Sequence, residues 1–247
     1  MIKQLSETIK NQPYPLLFVT ISGAHLYGFP SADSDYDLRG VHILPAVEVV
    51  GLYKSHETIE LSETKEGIEV DLVTHDIKKF FTLLLTRNGY VLEQLYSPLI
   101  LQTTAAHAEL KVIAHDCLTS YHSYHYLGFA KTQWRLFEKK QPRQVKPLLY
   151  VYRVLLTGIH LMQTGKVEAN LLTLNEVFQL SYLQELIEQK VEGQEKAFLK
   201  ETDLTFYRKE YERLESALKE ATEKSHLPEK ATAKEALNDL LLRLRLS

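Results

Sequence analysis

The sequence predicts an α+β fold in which strands come first and a long helical region follows. One observation is an apolar, partly β-branched run, Leu16 to Ile21, followed by alternating segments as far as Thr74. The second is a switch at Asp76, after which apolar residues recur at helical spacing. The third is composition: 247 residues, 45% hydrophobic, 25% charged and net charge -3, which supplies a sizeable core and fits one large domain or two that pack together.

Residues 1–11 read as a short amphipathic helix, which Pro13 and Pro15 end. Leu16 to Ile21 is a buried strand, and Ser22-Gly23 turns it into a short segment closing at Gly28-Phe29-Pro30. A polar loop, Ser31 to Ser34, leads to a second strand over 35–44. Two more strand signals lie at 58–61 and 68–74, with Lys65-Glu66-Gly67 as the hairpin turn. Helices are expected near 76–86, 89–96, 106–117, 119–139, 144–165, 173–190, 203–223 and 229–245, punctuated by Pro142, Gly165, Gly193 and Pro228. Without a repeat or low-complexity linker, the change near residue 105 separates two domains, 1–105 and 106–247, and is not a flexible joint.

The single cysteine, Cys117, excludes an intrachain disulfide and a cysteine-based zinc site, so it reads as a buried, inert thiol. Met1 to Gln12 is polar where a leader would be apolar, and no run of about 18 apolar residues occurs, so a cytoplasmic protein without a membrane partner is expected. The weak net charge hides one cluster. Between Lys131 and Arg153 stand Lys131, Arg135, Lys139, Lys140, Arg143, Lys146 and Arg153 against one acid, Glu138.

Chemistry concentrates in Ser22-Gly23-Ala24-His25-Leu26-Tyr27-Gly28 and Ser34-Asp35-Tyr36-Asp37-Leu38-Arg39-Gly40-Val41. Alternation along a strand sets Asp35 and Asp37 on one face, about 7 Å apart, with Tyr36 and Leu38 turned to the core. Like charges so placed favour a cation between them, and magnesium takes one or two carboxylates together with substrate phosphates and water. Arg39 shares that face and can pair with a carboxylate or hold a phosphate oxygen. A third carboxylate would serve two-metal phosphoryl transfer, and alternation on 68–74 offers Glu69 and Asp71 equally.

These residues resemble the glycine turn and D-x-D signature of the DNA polymerase beta superfamily of nucleotidyltransferases. The closer resemblance is to the RNA repair pathway DNA polymerase beta family, whose pattern is similar to S-G-S-x-x-Y-G followed by S-D-x-D-x-R-G-V. Here it is met by Ser22, Gly23, Tyr27, Gly28, Ser34, Asp35, Asp37, Arg39, Gly40 and Val41. It continues at Asp71 and at Asn88 to Tyr96, with Glu93 at a recurrent acidic position, then weakly from Tyr121 to Arg153, covering roughly residues 15–165. The resemblance implies a mixed sheet flanked by helices, with a catalytic domain over 1–105 and a helical domain over 106–247 completing the nucleotide and acceptor cleft. It also implies two Mg2+ ions, replaceable by Mn2+, on Asp35, Asp37 and Asp71, and so chooses Asp71 over Glu69. The implied nucleotide contacts are Ser22, Gly23, His25, Tyr27, Ser34, Arg39, Lys146, Tyr150 and Arg153. The implied activity is transfer of a nucleoside monophosphate from a nucleoside triphosphate, ATP expected, to a hydroxyl, with an RNA end as the favoured acceptor. The one departure is Ala24, where the family has serine, which removes a hydroxyl able to bond a phosphate.

Other signals weigh less. Gly23 and Gly28 have the glycine spacing of a phosphate-binding loop, but Phe29 and Pro30 occupy the places of its lysine and serine or threonine. His107, His115, His122 and His125 lack nearby acids or cysteines as co-ligands and read as packed histidines. Lys146, Tyr150 and Arg153 share one helical face toward the nucleotide. Lys131 to Lys140 reads either as an RNA track, with Trp134 stacking on a base, or as a solvated face with Trp134 half buried. The residues from Glu195 to Ser247 suit packing, a lid or an oligomer contact. Three other readings use the same acids: transfer to a protein or small molecule, nucleotide or RNA binding without turnover, and metal-dependent phosphate hydrolysis.

Overall fold

The apolar run Leu16–Ile21 forms β1, whose alternate residues serve two layers, as expected of a strand covered on both faces. In the computed structural model, which describes residues 2–53, 55–193, 198–199 and 204–246, α1 (Ile2–Lys10) precedes it and β2 (Tyr36–His42) pairs with it antiparallel. Met1, Asp203 and Glu195, with which three expected segments began, lie outside the described residues. β3 (Thr58–Lys65) and β4 (Ile68–Asp76) form a hairpin. Its two-residue turn holds Glu66 at φ 51° and Gly67 at φ 80°, the paired left-handed conformation that matches strand twist. β4 pairs with β2 in parallel, and a short edge strand, β5 (Ile100–Gln102), pairs antiparallel with β1. The result is a mixed five-stranded sheet of order β3-β4-β2-β1-β5.

Alternation assigns the faces. Leu5 and Ile9 of α1 cover Leu16, Val19, Leu38, Val70 and Leu72, with Tyr36 packed at the margin. On the other face Phe18 meets Phe80 edge-on at 5.6 Å and stacks on His107 at 4.2 Å. These partners belong to α4 (Ile77–Leu85) and α6 (Ala105–Ala114), with α5 (Gly89–Tyr96) between them in sequence. The Asp76, Asn88 and Thr104 side chains cap α4, α5 and α6 in turn, each accepting from a backbone N–H of the first turn. Cys117 is buried, and burial, reinforced by Asp116, pushes its thiol up to about 12, as suits an inert cysteine.

The chain divides into two compact units, one made of residues 1–23, 35–118 and 230–247, the other of 24–34 and 119–229. The break expected near residue 105 therefore falls inside the first unit. That unit runs on through α6, where Leu110 and Ala114 are wholly buried, and takes back α12 (Lys234–Leu246). α12 packs on α4 and α6, and its Arg245 Nη2 meets Asp76 Oδ2 at 2.5 Å with both side chains almost fully buried. Asp76 thus carries three loads, since it also accepts from the N–H groups of Lys78 and Leu44.

The second unit is built round α8 (Val145–Thr164), most of whose residues are buried and which a left-handed Gly165 ends. α7 (His122–Lys139), α9 (Leu171–Phe178), α10 (Ser181–Glu192) and α11 (Leu204–Glu223) pack around it. The single helix expected over 173–190 is broken: Gln179 is left-handed at φ 51°, and Asn175 accepts from the Leu180 N–H beyond the break. Trp134 is buried against Tyr211, rings 4.7 Å apart and 4° from parallel, and is therefore closed to a base. Two short helices, α2 (Gly23–Tyr27) and α3 (Ala46–Val50), escaped the periodicity because five residues make barely one turn and a half. Among the described residues no helix is long and apolar enough to cross a membrane.

Replacing Arg245 with Met strands the buried Asp76 carboxylate, and a loss of about 3 kcal/mol is expected. Urea unfolding followed by circular dichroism measures it; an unchanged midpoint would show that the pair contributes nothing.

Candidate functional site

The first unit brings five of the expected residues together, Ser22, Gly23, Asp37, Arg39 and Asp71. β2 and β4 run parallel in a register that sets Asp37 directly beside Asp71, on the face opposite Leu38 and Leu72. Two carboxylates on adjacent strands repel, and the guanidinium of Arg39 relieves them. Its Nη2 donates to Asp37 Oδ1 at 2.8 Å and to Asp71 Oδ2 at 3.2 Å. Its Nη1 donates to the carbonyls of Leu38 and Asp71, both at 2.8 Å, so the whole group is pinned between the strands. The side chains of Arg39, Asp37 and Asp71 stay 21%, 30% and 41% exposed, open enough to meet a ligand.

Gly23 explains why the bend sits where it does. Its φ is +60°, and a Cβ there would lie 1.8 Å from Asp37 Oδ2. Only a residue without a side chain lets the carboxylate lie against the turn. The Ser22 N–H donates to the Asp37 carbonyl at 2.7 Å, tying bend to strand, and Ser22 itself is buried. Asp35 stands exposed just before β2, outside the register that joins Asp37 to Asp71. Glu69, left level with Asp71 by spacing, lies on an exposed stretch of β4 beside Thr64 of β3.

The donor set is hard oxygen, which suits magnesium or manganese. Among the described residues no group of three or more acids, histidines or cysteines is assembled. What is assembled is a pair of carboxylates sharing one cation, the number magnesium uses when substrate phosphates supply further ligands. His107 and His122 are buried and bonded to Thr103 and Thr119, as packed histidines are.

The remaining expected nucleotide contacts lie in the second unit. Arg153 has no exposed surface: its guanidinium lies 3.7 Å over the Tyr27 ring and 5.8 Å from that of Tyr150. Tyr27 is buried too and meets Tyr150 edge-on at 5.5 Å. Instead of facing a ligand, Arg153 and Tyr27 form the base on which Tyr150 rests. Lys146 and Tyr150 keep partial exposure, with the lysine Nζ 5.9 Å over the ring. His125 is held below its usual pKa by burial and then by Arg153, and so stays neutral at pH 7. Ser34 is bonded to Ser31, whose Oγ accepts from the wholly buried Lys190 at 2.6 Å. Lys190 escaped the sequence reading because a lysine in an amphipathic helix ordinarily reaches solvent.

The sequence profile of the RNA repair pathway DNA polymerase beta family matches residues 1–243. The chain belongs to that family. It is a nucleotidyltransferase by family, and the mixed sheet flanked by helices is the fold that membership implies. The match reaches well past residues 15–165, taking in α9 to α11 and most of α12. Among similar proteins, the uncharacterised protein MJ0002 of Methanocaldococcus jannaschii is 35% identical over 156 residues, covering 62% of this chain and 63% of its own length. The uncharacterised protein YcgL of Bacillus subtilis strain 168 is 25% identical over 254 residues, covering 98% of this chain and 94% of that protein. The crystal structure of a nucleotidyltransferase-like protein from Exiguobacterium sibiricum aligns with 98% of this chain and 79% of its own, at TM-score 0.34 and 13% identity. Likeness at that level adds nothing to the assignment, which the profile carries.

Two substitutions test this geometry. Arg39→Met removes the resident cation, so Mn2+ affinity measured by titration calorimetry should rise several-fold, while the melting temperature without metal falls and metal restores it. Gly23→Ala drives a methyl into the Asp37 carboxylate and should weaken Mn2+ binding about tenfold or more; unaltered binding would detach the bend from the site.

Proposed function

We propose that this protein transfers a nucleoside monophosphate from a nucleoside triphosphate, ATP being the expected donor, to a hydroxyl at an RNA end. The observation that carries the reading is Asp37 beside Asp71 across Arg39, against a bend that only glycine permits. Family membership supports the same reading.

Asp35, Asp37 and Asp71 are the proposed holders of two Mg2+ ions, with Mn2+ as a substitute. Bound there, the ions would neutralise phosphate charge and lower the pKa of the attacking hydroxyl. The hydroxyl oxygen forms a bond to the α-phosphorus while the bond to the bridging oxygen breaks, and pyrophosphate leaves. The hydroxyl proton passes to a carboxylate, for which Asp71 is the more exposed of the facing pair at 41% against 30%. Arg39 keeps its two backbone bonds when the carboxylates take up other partners, and so remains a fixed positive neighbour for phosphate oxygens.

In the second unit, Lys146 and Tyr150 are the proposed contacts to the nucleotide, alongside His25, with Arg153 and Tyr27 as positioning residues. Ser34, tied to the Ser31–Lys190 pair, fixes the loop leading into Asp35. Ala24 is only 4% exposed, so the hydroxyl missing at this position weighs little against turnover.

Incubation with α-labelled ATP, Mg2+ or Mn2+ and single-stranded RNA should label the RNA, and Asp35→Ala with Asp37→Ala should cost about a hundredfold or more. Label appearing only on protein or a small hydroxyl compound would replace the acceptor. Labelled AMP alone would replace transfer with hydrolysis, and retained ATP binding without any product would make the protein a silent binder.

A further inference from the structure

We infer that the outward face of α7 is a grip for the phosphate backbone of single-stranded RNA. This rests on the reading of RNA as acceptor but assigns a surface that reading does not contain. Exposed residues on α7 recur at Tyr124, Gly128, Lys131, Arg135 and Lys139, one stripe at helical spacing. The three cations stand about 6 Å apart along the axis, a separation that successive phosphates of an extended strand can follow.

Three features separate this stripe from an ordinary solvated face. None of the Lys131, Arg135 and Lys139 side chains is hydrogen-bonded or ion-paired among the described residues, unlike Lys219 of α11 and Lys224 just past its end, which pair with Glu215 and Glu220. The neighbouring acid, Glu138, is already taken by Arg208 at 2.5 Å, so it does not offset them. And the positive charge is segregated along this stretch, with Lys131, Arg135, Lys139 and Lys140 against Glu138 alone from residue 131 to 140, in a chain whose net charge is -3.

The chemistry of the helix selects the partner. Its apolar side, Tyr126, Ala130, Trp134 and Phe137, is spent on the interior, which removes the greasy face that a membrane-seeking basic helix needs. The stacking group is Tyr124, 63% exposed and 5.6 Å from Tyr121, in the place that the buried Trp134 cannot fill. An exposed ring in line with evenly spaced cations is the combination that holds a single strand, bases on the aromatic and backbone on the charges.

The test uses the full chain and a fluorescein-labelled single-stranded RNA of mixed sequence, followed by anisotropy between about 50 and 200 mM salt. The variant Lys131→Ala, Arg135→Ala, Lys139→Ala should bind about tenfold more weakly at the lower salt and lose about 2 from the slope of log affinity against log salt. Tyr124→Ala should weaken binding several-fold with the slope unchanged. Lys219→Ala with Lys224→Ala, which lowers net charge elsewhere, should do neither. The inference is overturned if the triple variant keeps the wild-type slope, if the α11 control loses as much, or if RNA does not bind while an acidic peptide does. RNA binding that depends on the stripe, with no label transferred to any acceptor, sinks the transfer reading and leaves the grip standing. Transfer to a small hydroxyl compound with no RNA binding overturns the grip and the RNA acceptor together, and leaves nucleotidyl transfer standing.

Discussion

Neighbouring parallel strands set Asp37 and Asp71 side by side, and without a counter-charge that register would push the strands apart. Arg39 supplies the charge from within the sheet, using one nitrogen on the carboxylates and the other on backbone carbonyls. The closeness of the two acids and the chemistry proposed for them rest on that one guanidinium. Because Arg39 is anchored on two carbonyls as well as two acids, the acids can exchange partners while the arginine stays in place.

Other buried charges are used in the same economical way. Lys190 gives its ammonium to Ser31, Arg153 lies over Tyr27, and Arg245 closes on Asp76. Burying a cation costs several kcal/mol unless something compensates it, so each of these positions trades stability for a fixed geometry. In the second unit the geometry fixed is that of Tyr150 and of the Ser31–Ser34 loop.

Much of the first unit was legible because strands and short-range turns write themselves into local pattern. The run at β1, the alternation of β4 and the Glu66-Gly67 turn were all readable, and Asp37 with Arg39 followed from alternation alone. Asp71 needed the resemblance, since spacing gave Glu69 equal standing until the strand register set Asp71 beside Asp37. β5, three residues long, carries too little pattern to be seen. Burial was the harder quantity. Helical spacing correctly gathered Lys146, Tyr150 and Arg153 on one face, yet could not tell that the last of them faces Tyr27 and an interior. The helix break at Gln179 was equally hidden, because a left-handed glutamine leaves no signature of the kind glycine does.

The path of the backbone has a consequence of its own. The chain leaves the first unit at Gly23, returns at Asp35, departs again after Leu118 and comes back only at Lys230. On a ribosome, β4 emerges early with Asp76 at its end, but the arginine that neutralises it arrives after all of residues 119–229. A nascent chain paused anywhere in that interval holds a finished sheet whose carboxylate has no counter-ion, and the first unit is completed only after every residue of the second has been made.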